Sequence, residues 1–110
     1  MADENPQEQT ALYAVGQVVH HKLFDYRGVV FDVDPVFQNS DAWYEQNSKT
    51  RSPKDKPWYH VMVHNSMSTT YVSERNLEPD DTGEPIHNPL IDQVLERVLG
   101  GTYRSRDRAN

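Results

Sequence analysis

A chain of 110 residues with 35% hydrophobic residues and a mean hydropathy of -0.87 has room for one modest core, hence one domain. It contains no cysteine, which excludes disulfides, thiolate metal sites and thiol nucleophiles and fits a reducing cytosol. The net charge of -6 opposes the basic footprint of a strong duplex-DNA binder, and no segment approaches the ~20 apolar residues of a membrane helix.

Residues 1–11 carry Asp3, Glu4 and Glu8 without an apolar run, so they read as a disordered acidic tail and neither a signal nor a transit peptide. Residues 12–87 are expected to form the folded domain. Within it, residues 16–22 alternate as a half-buried strand, with Val18 toward the core and Gln17 and Val19 opposite. Residues 24–28 then turn on Gly28. The clearest strand is 28–34, with Val29, Phe31 and Val33 on one face and Val30, Asp32 and Asp34 on the other; Pro35 ends it.

A polar connection spans residues 35–57, long enough to be functional or disordered. Trp43 and Tyr44 argue for partial order, either packed on the sheet or in a short helix. Its second half gathers Lys49, Arg51, Lys54 and Lys56 against one acid, Asp55. The next strand, 58–64, sets Trp58, His60, Met62 and His64 on one face and Tyr59, Val61 and Val63 on the other. Asn65-Ser66 turns the chain into an antiparallel partner over 67–72, and residues 73–77 make a short turn or 3₁₀ piece leading to a last β contact. Asn88 and Pro89 open a helix over 88–101, whose stripe of Leu90, Ile91, Val94, Leu95, Val98 and Leu99 must pack on the sheet or on a second subunit. Gly100-Gly101 stops it, and residues 102–110 form a basic tail. The expected fold is mostly β: a small SH3-like or Tudor-like antiparallel barrel with one C-terminal α-helix.

Catalytic chemistry finds no footing in this pattern. His20 and His21 are adjacent on a strand and point to opposite faces. His60 and His64 share a face but stand roughly 13 Å apart at strand rise. A metal site would need His20 or His21 to meet one of them beside Asp32, so no metal, cofactor or catalytic residue is expected. The serines lack a strand-turn-helix elbow, and five glycines include no phosphate cradle.

Four blocks in register, residues 15–21 (VGQVVHH), 25–35 (DYRGVVFDVDP), 57–61 (PWYHV) and 71–77 (YVSERNL), resemble the HspQ family, also called YccV-like hemimethylated-DNA-binding proteins. The likeness runs over about residues 13–89, with 83–89 (GEPIHNP) matching the longer members. The resemblance implies a small, non-catalytic, cytoplasmic heat-shock β-barrel that binds hemimethylated DNA and enhances degradation of selected substrates by a Lon-type protease. The variable long loop is where DNA contact through Lys49, Arg51, Lys54 and Lys56 is expected; the alternative is that these cations only keep the loop soluble. Three or four phosphate contacts give weak, salt-sensitive binding unless a homo-oligomer multiplies them. Protein partners are expected at Trp43 and Tyr44 and at a tail handle beginning with Tyr103 and Arg104. The pattern of residues 18–30 also looks like Tudor-like modules that dock on RNA polymerase, which would need no DNA role.

Overall fold

The computed structural model describes residues 10–98 and 101–106. Five antiparallel strands form the main sheet: β1 (Val18–His21), β2 (Arg27–Asp34), β3 (Trp58–Val63), β4 (Thr69–Ser73) and β5 (Leu77–Pro79). Their order is β4-β3-β2-β1-β5, so the only non-sequential neighbours are β1 and β5. A single 3₁₀ turn, Glu74–Asn76, carries the chain from one edge of the sheet to the other. One core cluster takes Val19 from β1, Val30 from β2, Tyr59 and Val61 from β3, Val72 from β4 and Leu77 from β5. A cluster fed by every strand requires the sheet to bend around it. The sheet stays open nonetheless: β4 and β5 are not paired, so the expected closed barrel is replaced by a curled sheet with two edges.

The alternation expected along β2 fails at one point, and the failure is physical. Val30 pairs with Val61 and Asp32 with His60, which leaves Phe31 as an extra residue in a bulge. Beyond it the faces exchange. Val33 joins Val30 against the first core, while Phe31 packs with Val29 in a second cluster on the opposite face. The sheet is therefore buried on both sides, and Val18 and Val19 both lie in cores.

The second core is closed by the C-terminal segment, where the expected helix gives way. Asn88 does start a turn: its Oδ1 accepts from Leu90 N at 2.9 Å, and its Nδ2 donates to Val63 O and Ser68 O. But α2 spans only Ile91–Val94. Leu95 is extended at φ -131°, ψ 162°, and begins β6 (Leu95–Arg97), which pairs with β7 (Tyr103–Ser105). Leu95 and Tyr103 pack with Val18, Val29 and Met62, so the helical stripe is exchanged for a small hairpin lying over the sheet. Leu99, the last residue of that stripe, falls outside the described residues, as do the acidic segment 1–9 and the last four residues of the basic tail. Two glycines allow the layers to approach. A Cβ at Gly16, whose φ is +95°, would sit 1.7 Å from Tyr103 O; one at Gly28 would sit 2.6 Å from Met62 O.

The long connection is ordered around a third group of rings. Ser40 Oγ accepts from Trp43 N at 3.0 Å and caps α1 (Asp41–Asn47), a contact worth about 1 kcal/mol. Phe37 lies at the centre, 4.9 Å from the Trp58 ring, 5.4 Å from Tyr44 and 5.9 Å from both Trp43 and Tyr71. Tyr44 is buried and donates to Ser52 O at 2.7 Å, closing the loop on itself.

Candidate functional site

A cleft of about 500 Å³ opens between α1 and the turn joining β1 to β2. Its floor is Trp58, His60 and the strand Thr69–Ser73. Trp43, Asn47 and Lys49 stand on the α1 side; His21, Leu23, Phe24 and Tyr26 stand on the turn side. The floor rings are tightly set. Tyr71 lies 5.2 Å from Trp58 and 4.6 Å from His60, and Trp43 meets Tyr71 edge-on at 5.5 Å. Tyr71 is fixed at its far end, donating to Asp34 Oδ2 at 2.6 Å and accepting from Gln38 N at 2.9 Å. Burial and the carboxylate of Asp34 push its phenol well above the usual range, so it stays protonated.

The opposite wall is built by His21. Its Nδ1 accepts from Leu23 N and Phe24 N, both at 3.1 Å, and its ring stacks on Phe24 at 4.7 Å. The turn closes at Asp25, in the left-handed region at φ 57°. Leu23 and Phe24 are thereby held outward, 54% and 72% exposed, at the lip of the cleft.

Charge at this site differs from the charge of the chain. Among the described residues, no Asp or Glu lines the cleft, although the sequence holds 17 of them. Lys49 lines it directly. Arg75 is exposed beside it and donates to the carbonyl of Thr50, a lining residue, at 2.6 Å. Lys22, also exposed, immediately precedes Leu23 and donates its N–H to Asn76 O. The expected basic cluster is split by this arrangement. Arg51 pairs with Glu45 at 2.9 Å and lies over the Tyr44 ring; Lys54 pairs with Asp41 at 3.2 Å and covers the same ring at 4.4 Å. Both cations serve the loop's own packing. Lys56 is exposed and makes no ion pair among the described residues.

The other candidates separate in the same way. Trp43 is half-buried in the cleft wall, whereas Tyr44 is interior. Tyr103, expected on a free tail, is a buried β7 residue whose hydroxyl accepts from Ile86 N at 2.9 Å. Arg104 beside it is exposed and pairs with Glu96. The histidine combination considered for a metal does not assemble: His20 is held between Asp25 and Glu78, and His64 lies beside His87. Asp32, Asp34 and His60 do bring ligand atoms within 4.8 Å of one another, but Asp34 is already shared by His60 and Tyr71. Sequence reasoning missed His21, Phe24, Tyr26, Tyr71, Ser73 and Arg75 as neighbours of one cleft. The available signal was the density of aromatic residues in blocks 25–35, 57–61 and 71–77.

The sequence profile of the family described as hemimethylated DNA-binding protein YccV like matches residues 11–102. The chain belongs to this family. The floor and turn-side wall of the cleft fall within or beside the blocks that carry the resemblance; the α1 wall comes from the long connection. This YccV-like chain has no described helix long and apolar enough to cross a membrane.

Proposed function

We propose that this protein binds DNA, in keeping with its hemimethylated-DNA-binding family, and does so without catalysis through the face that carries the aromatic cleft. The observation that supports this most is the cleft's freedom from carboxylates in a chain of net charge -6, with Lys49 in its wall and Lys22 and Arg75 beside it. Phosphates are drawn to these exposed cations, while Arg51 and Lys54 hold the loop in shape. Three contacts imply that log K falls by about 3 per tenfold rise in salt. Fluorescence anisotropy of a labelled hemimethylated duplex, titrated at several salt concentrations, tests the reading. Lys49→Ala with Arg75→Ala should reduce the salt slope by about 2. An unchanged slope removes this face from the interface.

A second reading is favoured by the outward Leu23 and Phe24, an apolar pair held in place by His21. Such a lip suits a protein partner. It fits the modulation of a Lon-type protease, in a cytoplasmic heat-shock setting, that the family resemblance implies. Phe24→Ser should abolish the protein's effect on the turnover of a damaged substrate by that protease; an effect of undiminished size argues against the lip. Capture of RNA polymerase through Phe24 would favour the Tudor-like docking reading.

A further inference from the structure

The cleft contains one polar group that the fold leaves unused. Ser73 lines the cleft but is only 2% exposed, and its Oγ, covered from solvent, has no hydrogen-bond partner among the described residues. A buried hydroxyl without a partner costs free energy, so its position points to a polar ligand. The rings of Trp43, Tyr71 and Tyr26 supply flat apolar surface around it. We propose that the cleft receives a single unstacked, methylated nucleobase of the bound DNA, gripped by the aromatic rings and hydrogen-bonded by Ser73. This deepens the DNA reading above and rests on it.

Charge and shape together favour a base over other guests. Aromatic cages also hold methylated ammonium groups, but those are helped by free carboxylates in the lining, and this lining has none; Asp34 behind it is already engaged by His60 and Tyr71. The exposed cations Lys49 and Arg75 instead match the phosphates that flank an extruded nucleotide. A base offers a π-face to the rings and both donors and acceptors to a hydroxyl. Its methyl group adds apolar surface that stacks inside the cleft. Within a paired duplex that methyl would have to be reached in the major groove. Extrusion brings the base to the cleft and spares an acidic molecule from inserting an element into the groove.

The chain's only two tryptophans, Trp43 and Trp58, both line the cleft, so their fluorescence reports on stacking there. Two titrations at low salt are read in parallel: anisotropy for DNA binding and tryptophan emission for base entry. The probes are an oligonucleotide with one central N6-methyladenine, its unmethylated form, a 5-methylcytosine form, and the hemimethylated duplex. Emission should be quenched in step with anisotropy, and one of the two methylated bases should bind about fourfold tighter than its unmethylated form, the effect of burying one methyl-sized group. Trp43→Ala should weaken single-strand binding by roughly tenfold or more. Because that ring also packs in the loop, Ser73→Ala is the second variant. It removes no hydrogen bond from the folded protein, so Tm should not fall, yet base binding should weaken roughly three- to tenfold.

Anisotropy rising with emission unchanged would overturn base entry and leave the DNA reading standing. No anisotropy change with any probe would overturn both. Quenching by a trimethyl-lysine peptide but by no oligonucleotide would assign the cleft to an ammonium guest and overturn the proposal. Equal binding by Ser73→Ala and wild type would remove the hydroxyl from recognition and overturn the assigned grip.

Discussion

His20 is held between Asp25 and Glu78, each 2.7 Å from one ring nitrogen, and the bonds to these carboxylates raise its pKa above 6.5. His21, one residue on, is buried against Phe24 and Tyr26; burial, with the His20 charge second, lowers its pKa below 6.5. The consequences for stability have opposite signs. The His20 contribution is fully present below pH 6.5 and is lost as pH rises through its raised value. The His21 contribution is present above pH 6.5 and declines as pH falls below it, because the folded state resists the proton that the unfolded chain accepts. NMR titration of the imidazole signals should give a midpoint above 6.5 for His20 and below 6.5 for His21; the reverse order would contradict both environments. Protonating His21 also removes the acceptor for Leu23 N and Phe24 N, so the lip of the cleft should loosen on acidification.

At the scale of an element, α2 and β6 show tertiary packing overriding an amphipathic pattern. In a helix carrying the stripe, Val94 and Leu95 would be buried alike. Here Leu95 is 1% exposed and Val94 41%, because the chain extends at Leu95 and pairs with β7. Leu95→Ala should therefore cost roughly 2 to 5 kcal/mol, while Val94→Ala should stay within about 0.5 kcal/mol. Thermal or denaturant unfolding of both variants reads the difference, and equal losses would restore the helix. α1 teaches the complementary lesson. Its seven residues are too few to be stable alone, and Phe37, Tyr44 and Trp58 hold it.

For the molecule as a whole, one ion pair ties the sheet to the segment that follows β5. Arg27, on β2, donates to Asp80 at 3.0 Å and to Glu84 O at 2.6 Å, with side chains 19% and 7% exposed for Arg27 and Asp80. Burial alone would raise the Asp80 pKa, but its bonds to Arg27 and Thr82 outweigh that and hold it below 3.8. Its contribution is thus present above pH 3.8 and is lost as pH falls through the lowered value. Asp80→Ala should cost about 2 kcal/mol, since the half-buried Arg27 loses its counter-charge and keeps only the bond to Glu84 O. A denaturation midpoint close to wild type at neutral pH would show the pair to be dispensable.

Residue pattern alone determined the all-antiparallel character, the strand faces of β3 and a short turn or 3₁₀ link after β4, because these follow from local alternation and turn chemistry; the family followed from the identity of the residues in four blocks. The pattern also suggested that Trp43 and Tyr44 would order part of the connection 35–57, as α1 does. Tertiary structure decided the rest. The bulge at Phe31 exchanges the faces of β2, the open edges replace a barrel, and the hairpin replaces the helix, each through partners distant in sequence. The cleft belongs to this second group: its walls come from the β1–β2 turn, α1 and β4, and only folding brings them together. Likewise, only folding lays Arg51 and Lys54 over the Tyr44 ring while Lys49 lines the cleft.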